Sequence, residues 1–354
     1  MPNGNGEKSL ESWIWDAACA IRGEQDAPKF KDYILPLIFV KRLCDVFDDE
    51  VAEIAKKVGS KTKALNLTEK DKKIVRFYLP LRPANVETED TWSVVRKLAD
   101  KIGQRLTDIM RDIAKHNPRI KGIIDRVDFN ATTHGQREIS EDGLSRLIEK
   151  INLKRLGLKD VEPDIIGRSY EYLIRKFAEG GGQSAGEFYT SKEVGFVMAR
   201  ITDPEPGLEI YDPCCGSAGL LIKCQLVLQE KMCEKGAKKY APLQLYGQES
   251  IPGTWAMANM NMVIHDMQGT LDIGDTMKNP KFKTGNRLKK FDRVVANPMW
   301  NQDIFTARDY ENDELDRFRG GIPNPSSADW GWVQHIVGSL KDGGRAAFYF
   351  KREA

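Results

Sequence analysis

The sequence predicts an all-helical N-terminal domain over residues 1–162 and an α/β domain with a parallel sheet over residues 163–354. Three observations support this division. Apolar residues recur at helical spacing in the first half, where no convincing strand alternation is present. Short, apolar, strand-like runs alternate with helical segments in the second half. The length of 354 residues also exceeds that of one average domain.

The N-terminal domain is predicted to consist of helices joined by polar loops. Helical periodicity covers residues 10–58 and then runs from Trp92 to Ile113, and the Asn117-Pro118 pair ends the second stretch. The polar residues 59–90 between them predict a loop with little regular structure. A further helix is predicted over residues 164–177, where apolar side chains again lie along one side.

The second half begins with a glycine-rich segment, after which the sequence pattern changes from helical to alternating strands and helices. A glycine-rich stretch at residues 179–186 predicts a linker or mobile loop. The predicted strands lie at 208–212, 243–249, 291–296 and 344–350, and the predicted helices at about 218–234, 254–265 and 329–340. Strands that alternate with helices in this way predict a parallel sheet covered on both faces.

Composition and charge narrow the class of protein. Hydrophobic residues make up 41% and charged residues 30%, which is typical of a globular protein rather than a disordered one. No apolar run approaches the ~18 residues of a membrane-spanning helix, and the N-terminus lacks a secretory signal pattern. We therefore expect a cytoplasmic location and no membrane contact. The net charge of +2 leaves nucleic-acid binding open and suggests that a partner supplies part of any phosphate contact.

Cysteine and histidine spacing predicts no metal site. The six cysteines show no disulfide framework and no C-x2-C pair, and the four histidines are scattered along the chain. We expect reduced thiols, most of them buried.

The sharpest local feature is the run Asp212-Pro213-Cys214-Cys215-Gly216-Ser217-Ala218-Gly219, directly after the first predicted strand. A strand that runs into a tight glycine turn and then a helix presents open backbone at the carboxyl edge of the sheet, where nucleotide-like ligands bind in open α/β folds. Alone, G-x-x-G after a strand is a weak signal, because glycine also serves plain turns.

Three further features favour a ligand site over a plain turn. Glu249 ends the next strand, where an acidic side chain can accept hydrogen bonds from both hydroxyls of a ribose. Asp275 ends the following strand-like segment, where it can accept a hydrogen bond from an adenine amino group. Upstream, residues 186–191 lead into a helix, with Thr190 and Glu193 spaced as a capping box. One acid at each successive strand end indicates a bound ligand.

Two missing motifs narrow the identity of that ligand. A nicotinamide dehydrogenase carries G-x-G-x-x-G and an acid ~20 residues further on. Here the first glycine is absent, and Glu249 lies 30 residues beyond Gly219. The P-loop pattern G-x4-G-K-[ST] is also absent. These absences favour S-adenosylmethionine over dinucleotides and ATP.

A candidate catalytic run, Asn297-Pro298-Met299-Trp300, follows the predicted strand 291–296. An Asn-Pro turn that closes a strand is the plain interpretation. The chemical interpretation starts from an exocyclic amine, whose lone pair is delocalised into a purine ring. The Asn297 side-chain carbonyl and the Pro298 backbone carbonyl can accept the two amine hydrogens and localise that lone pair on nitrogen. Trp300 can stack on an adenine flipped out of the duplex, and this scheme needs no separate general base.

These motifs, in this order, resemble those of amino-methylating DNA methyltransferases. The matching runs are Glu187-Phe188-Tyr189-Thr190, Asp212-Pro213 to Gly219, Gly247-Gln248-Glu249, Gly274-Asp275-Thr276 and Asn297-Pro298-Met299-Trp300. The resemblance implies a Rossmann-like, S-adenosylmethionine-dependent domain with Asn297, Pro298 and Trp300 as catalytic residues. The implied cofactor-binding residues are Glu187, Phe188, Tyr189, Thr190, Ser191, Lys192, Asp212, Pro213, Gly216, Ser217, Ala218, Gly219, Glu249 and Asp275.

Three positions depart from the pattern of that family. Met299 stands where proline is usual, but the third position supplies neither proposed acceptor, so we expect activity to survive. Ala218 stands where glycine is commoner, and Ser191 where proline is usual. The last two departures affect fine cofactor contacts rather than the class of enzyme.

A narrower resemblance, over nearly the whole chain, is to the modification subunit of type I restriction-modification systems. It rests on the helical entry segment 13–47, on residues 164–194 and on residues 317–350. It implies methylation of adenine N6 in double-stranded DNA, with the sequence chosen by a separate specificity subunit that binds two copies of this chain. A restriction subunit would join for cleavage. Members of the family continue well past residue 350, so we expect the catalytic domain to be C-terminally incomplete.

Two other functions remain open at this point. The same tetrad can polarise a protein glutamine amide or an RNA base, which keeps the enzyme class but changes the substrate. Met299 and the short C-terminus instead allow a catalytically weak scaffold that keeps the fold as an assembly platform.

Overall fold

The computed structural model describes residues 10–21, 31–133, 135–161 and 190–350, together with positions 165, 169, 172 and 173. The chain forms two compact units, residues 1–185 and residues 186–354. Most of the predicted helix 164–177, all of the glycine-rich stretch 179–186, and Glu187, Phe188 and Tyr189 lie outside the described residues.

The first unit is built from helices. They are α1 (Leu10–Ala20), α2 (Lys31–Val58), α3 (Lys61–Lys70), α4 (Trp92–Arg96), α5 (Ile102–His116) and α6 (Glu141–Asn152), with 3₁₀ turns at Lys72–Ile74, Pro118–Ile120 and Ile124–Arg126. A two-stranded hairpin, β1 (Thr132–Thr133) and β2 (Gln136–Arg137), is its only strand pairing within the described residues. The predicted helical character of this unit is confirmed.

Two details of the prediction for this unit are wrong. The predicted loop 59–90 begins with helix α3, because the Ser60 hydroxyl accepts a hydrogen bond from Lys63 N and the helix buries Ala64 and Leu65. The continuous helix predicted from Trp92 is divided into α4 and α5. Lys101, at φ 48°, adopts a left-handed conformation that no helix continues through.

The second unit is an α/β fold. Its helices are α7 (Lys192–Thr202), α8 (Gly219–Glu234), α9 (Pro252–Ile264), α10 (Ala307–Glu311) and α11 (Asp329–Gly338). Its strands are β3 (Glu209–Asp212), β4 (Gln244–Glu249), β5 (Gly269–Ile273), β6 (Lys283–Thr284), β7 (Arg287–Leu288), β8 (Phe291–Ala296) and β9 (Leu340–Phe348). Strands β6 and β7 form a small antiparallel hairpin.

The main sheet is parallel and has the order β5-β4-β3-β8-β9. Alternate residues pack on opposite faces: Ile210 and Val295 pack with helices α7, α8 and α9, and Tyr211 and Val294 pack with Ile336 of α11. The prediction of a parallel sheet covered on both faces is therefore confirmed. From β3 the chain builds the sheet outward to β5, and it then returns to add β8 on the other side of β3. This reversal creates a switch point between β3 and β8, where open α/β sheets bind ligands.

In the described part of the chain, no helix is long and apolar enough to cross a lipid bilayer. All six cysteines are free thiols: Cys44, Cys215 and Cys224 are buried, Cys214 is half-buried, and Cys19 and Cys233 are exposed.

Candidate active site

The glycine turn 212–219 and the loop 297–300, which holds the predicted catalytic residues and is called the catalytic loop below for that reason, lie at neighbouring strand ends. Strand β3 ends at Asp212, strand β8 ends at Ala296, and the two strands pair in parallel. Carboxyl ends of parallel neighbours meet at one edge of a sheet, so the structure brings the two predicted halves of the site together at the switch point.

The glycine turn packs tightly against β4. A Cβ on Gly247 would lie 2.8 Å from Cys215 Sγ and 2.7 Å from Leu271 Cδ2, so only glycine allows this approach. Gly216 has φ 53°, and a Cβ added there would meet no heavy atom within 4 Å, so the space over the turn is open. Ala218 has φ 64°, a left-handed conformation that costs an alanine roughly 1–2 kcal/mol. This cost explains why glycine is commoner at that position.

Two carboxylates are buried at this edge. Asp212 is 1% exposed and accepts a hydrogen bond from Cys214 N at 3.0 Å. Glu249 is 8% exposed and accepts from Gly216 N at 3.1 Å and from Ile251 N at 2.8 Å. Burial raises the pKa of Asp212 to about 7, and it raises the pKa of Glu249 against the opposite effect of the hydrogen bonds. No lysine, arginine or histidine of the described residues forms an ion pair with either carboxylate.

The third predicted acid, Asp275, caps the turn that follows β5. Its Oδ1 accepts hydrogen bonds from Met277 N at 2.9 Å and from Lys278 N at 3.1 Å. The hydroxyl of the neighbouring Thr276 donates a short hydrogen bond to Pro213 O. This contact ties the loop 274–281 directly to the glycine turn.

Gln248 is a site residue to which the sequence analysis assigned no role. It is fully buried; its Nε2 donates to Gly274 O and Asn279 O at 3.0 Å each, and its Oε1 accepts from Lys281 N at 2.9 Å. Its backbone carbonyl accepts from Cys215 N at 2.9 Å. One glutamine therefore holds both the glycine turn and the loop 274–281. The only sequence signal for it is a polar residue inside an apolar strand run.

The start of α7 differs from the predicted capping box. The N-cap is Ser191, whose hydroxyl accepts from Val194 N at 3.3 Å, rather than Thr190 paired with Glu193. The helix begins one residue later than predicted, and the Thr190 side chain turns to the catalytic loop, where Asn297 Nδ2 donates to Thr190 Oγ1 at 3.0 Å. That hydrogen bond uses the donor end of the Asn297 amide, so the carbonyl oxygen points away from Thr190. Of Lys192, the structure describes only the backbone at the start of α7.

Trp300, the predicted stacking residue, is buried in the structure. Its side chain is only 3% exposed, and Nε1 donates to Tyr349 O at 2.7 Å. The indole belongs to a buried cluster with Met277, Phe305 and Trp332. Within the same loop, Pro298 is buried, Asn297 is half-buried and Met299 is exposed. Asn297 and Pro298, the predicted acceptors, therefore lie at the carboxyl edge of the sheet, whereas the Trp300 indole is packed in the interior.

Arg317 links this buried cluster to the loop that carries Asp275. The guanidinium is 3% exposed; Nη2 donates to Asp313 Oδ1 at 2.7 Å and to Met277 O at 2.8 Å, while Nη1 donates to Thr276 O at 3.4 Å. Because a buried arginine fork satisfies a carboxylate and two carbonyls together, it fixes their relative positions. No local sequence pattern identifies this residue, since the two carbonyls that it binds lie 40 and 41 positions away.

We expect Arg317→Lys to destabilise the protein by about 1–3 kcal/mol, because a single ammonium group cannot replace the fork and leaves buried acceptors unsatisfied. Chemical denaturation followed by fluorescence measures the change. Arg319→Lys is the matched control, since Arg319 and Asp316 form an exposed pair with side chains 74% and 55% exposed. Equal denaturation midpoints for the two variants would contradict a structural role for the Arg317 fork.

A cavity of about 950 Å³ lies elsewhere in this unit, along α11. The hairpin β6–β7 and residues 314–324 complete its walls. None of the predicted site residues lines it, so the candidate site is defined by the strand edge and not by this cavity.

Comparison with known proteins supplies the family. The model of the N-6 DNA methylase family matches residues 161–353, and the model of the HsdM N-terminal domain matches residues 10–151. The type I restriction enzyme MjaIX methylase subunit of Methanocaldococcus jannaschii is 27% identical over 352 residues, which cover 96% of this chain and 60% of that protein. The MjaVII methylase subunit of the same organism is 28% identical and is matched over 86% of this chain and 51% of its own length. The chain thus spans little more than half the length of these relatives.

A solved structure shows the same fold. The methyltransferase subunit of a type I restriction-modification system from Streptococcus thermophilus superposes with a TM-score of 0.67 at 21% identity, over 96% of this chain and 73% of that one. The predicted fold class and the resemblance to type I modification subunits are therefore confirmed. Because the family model covers more than half of the sequence, the chain belongs to the N-6 DNA methylase family.

Proposed function

We propose that this chain transfers a methyl group from S-adenosylmethionine to the N6 amino group of adenine in double-stranded DNA, as the modification subunit of a type I restriction-modification complex. One observation carries the proposal. An open glycine turn, two buried carboxylates without a cationic partner among the described residues, and an Asn-Pro loop meet at neighbouring strand ends.

The residues at this edge fit the proposed cofactor. S-adenosylmethionine carries positive charge on its sulfonium and its amino group, and buried carboxylates without a cation are stabilised by a cationic ligand. Glu249 is proposed to accept hydrogen bonds from the ribose hydroxyls, and the open space over Gly216 gives the ligand access to the backbone. Asp275 uses Oδ1 for its backbone cap, which orients the carboxylate at the same edge. The other proposed cofactor contacts are those of the glycine turn (Pro213, Ser217, Ala218 and Gly219), of Thr190, Ser191 and Lys192, and of Glu187, Phe188 and Tyr189.

The proposed chemistry rests on the catalytic loop. When bound, the cofactor supplies an electrophilic methyl group on a sulfonium. The Asn297 Oδ1 and Pro298 carbonyl oxygens accept the two hydrogens of the target amine and hold its nitrogen lone pair towards the methyl donor. Placing the reacting atoms in line provides much of the rate. The buried Asp212 and Glu249 provide a negative environment that orients the positively charged donor.

Thr190 is proposed to position Asn297 through the hydrogen bond between their side chains. We expect Thr190→Val to lower kcat about three- to tenfold, because one oriented hydrogen bond is lost. Thr190→Ser, which keeps the hydroxyl, retains the wild-type kcat. Steady-state kinetics at varied cofactor concentration measures kcat and the KM for the cofactor. An unchanged kcat with a raised KM for the cofactor would contradict the positioning role and leave Thr190 with its proposed cofactor contact alone.

The partners belong to the proposal as well. Sequence choice falls to a specificity subunit that binds two copies of this chain, and a restriction subunit joins for cleavage. The relatives support this assignment, since each is named a methylase subunit of a type I restriction enzyme. The separate matches over residues 10–151 and 161–353 support a helical domain over 1–162 and a catalytic domain over 163–354. A DNA substrate also places the protein in the cytoplasm under this proposal.

The direct test is methyl transfer with radiolabelled cofactor to unmethylated duplex DNA, with and without the specificity subunit. We expect N6-methyladenine in digested DNA only when the specificity subunit is present. Sequence-specific methylation by this chain alone would contradict the division of labour. Label in RNA or in protein glutamine would change the substrate, and a folded chain that fails to bind S-adenosylmethionine in calorimetry would favour a scaffold.

A further inference from the structure

Cys214 lies between the two halves of the candidate site, although its sulfur has no part in the proposed chemistry. In the parallel pairing of β3 with β8, Tyr211 lies opposite Val294, and in the same register Cys214 corresponds to Asn297. The thiol is half-buried, and it packs against the buried cluster of Trp300 as well as against the cluster of Tyr211. This side chain therefore occupies the contact between the glycine turn and the catalytic loop.

The Cys214 thiol has a polar partner on each side of this contact. The sulfur accepts a hydrogen bond from the backbone N–H of Asn297. The thiol also donates to the carboxylate of Asp212, whose Oδ1 accepts from Cys214 N at 3.0 Å. Burial raises the pKa of Cys214 well above its ordinary value, and the negative charge of Asp212 raises it further. The sulfur therefore keeps its proton and serves as a donor and an acceptor together.

Asn297 is thus held at two points, by its backbone and by its side chain. The side-chain amide Nδ2 donates to Thr190 Oγ1 at 3.0 Å, and this hydrogen bond fixes the rotation of the amide. The hydrogen bond to the Cys214 sulfur instead fixes the place from which the amide projects. A misplacement of about 1 Å at a reacting centre can lower the rate about a hundredfold, so the position of the Asn297 backbone matters as well as the orientation of its amide.

We propose that Cys214 is a positioning residue for methyl transfer: its thiol holds the backbone of Asn297 against the glycine turn and so sets the distance between the amine acceptors and the cofactor edge. This inference rests on the proposed function. In this role the thiol acts through Asn297 and needs no contact with the reacting atoms. The hydrogen bond to Asp212 orients the sulfur, so that its lone pairs face the Asn297 N–H.

The experiment compares Cys214→Ser with Cys214→Ala in the full chain assembled with its specificity subunit. Serine and alanine differ by one hydroxyl, so both variants lose the packing of the sulfur to a similar extent, and only Cys214→Ser keeps a donor and an acceptor. We expect single-turnover methyl transfer to unmethylated duplex DNA to be about three- to tenfold slower with Cys214→Ala than with Cys214→Ser, because an oriented hydrogen bond is lost. Their affinities for S-adenosylmethionine, measured by calorimetry, stay within about twofold of each other. Cys233→Ala, at an exposed thiol near the end of α8, is the control and leaves the rate unchanged.

A second readout tests whether Cys214 acts through Asn297. In chains that also carry Asn297→Ala, we expect a smaller ratio between the rates of Cys214→Ser and Cys214→Ala, because only the Pro298 carbonyl remains to be positioned. An undiminished ratio there, or equal rates for the two Cys214 variants, overturns this inference alone. A loss of cofactor affinity at an unchanged rate also overturns it, since the thiol would then serve only Asp212. An inactive wild-type complex overturns the proposed function and this inference with it.

Discussion

Asn297→Ala is expected to lower kcat for methyl transfer by about a hundred- to a thousandfold while the affinity for S-adenosylmethionine stays within about twofold. Removal of one preorganised group that stabilises developing charge has an effect of this size. The Asn297 carbonyl is the proposed side-chain acceptor of the loop, and the amide Nδ2 already donates to Thr190 Oγ1. Single-turnover transfer of labelled methyl to DNA measures the rate, and calorimetry measures cofactor affinity.

Asn297→Asp is the matched variant for this prediction. It keeps an acceptor oxygen but loses the amide N–H that Thr190 accepts. We expect it to retain more activity than Asn297→Ala, since orientation is weakened but the acceptor remains. A fall in cofactor affinity for Asn297→Ala, with little change in rate, would assign Asn297 to the cofactor site instead.

Asp212→Asn is expected to stabilise the cofactor-free protein by about 4 kcal/mol at pH 8 and to have little effect at pH 4. The folded state holds the pKa of Asp212 at about 7, while the ordinary value is 3.8. Below pH 4 the carboxyl is protonated in both states, so no stability is lost. As the pH rises from about 4 to about 7, ionisation of the carboxyl lowers the free energy of the unfolded state but not that of the folded state, so the wild-type protein loses stability. At about 1.4 kcal/mol per pH unit, the accumulated cost is about 4 kcal/mol.

Urea unfolding between pH 4 and pH 8 measures this difference. The amide that Asp212→Asn introduces can still accept the hydrogen bond from Cys214 N, so the comparison isolates the charge. Asp342→Asn, at an exposed position of β9, is the control and leaves the pH profile of the wild type unchanged. A constant difference between Asp212→Asn and wild type at every pH would refute ionisation as its cause. We also expect this variant to bind the cofactor more weakly. The buried negative charge of Asp212 lowers the stability of the folded protein, but it attracts a positively charged ligand.

Local sequence patterns identified the architecture and the order of the site, because both depend on short-range features. Alternating apolar runs and helical periodicity determine which segments become strands and helices, and right-handed crossovers then bring successive strand ends to one edge. The glycine turn was recognisable because the positive φ of Gly216 demands a particular residue type. The polar segment that forms α3 was missed, because its stability comes from a cap at Ser60 and from burial of only a few side chains.

Residues that act through long-range contacts could not be identified in the same way. Gln248 and Arg317 bond to backbone atoms far away in the sequence, and their local surroundings do not reveal which partners they bind. The burial of Trp300 was equally inaccessible, because its pocket is made by segments that come together only in the folded chain. Local sequence therefore predicts the chemistry of a strand end better than it predicts which side chains are buried there.

The hydrogen bonds of Gln248 and Thr276 couple the glycine turn 212–219 to the loop 274–281, so mutations in these two segments do not act independently. Since one side chain bonds to two carbonyls and an amide of the loop 274–281, and Thr276 returns a bond to Pro213, removing either link loosens a neighbour that the other link also restrains. Free-energy changes from paired replacements at these positions will not sum. Evolutionary change at one of the two positions therefore depends on the residue already present at the other, and a substitution harmless in one member of the family can be disabling in another.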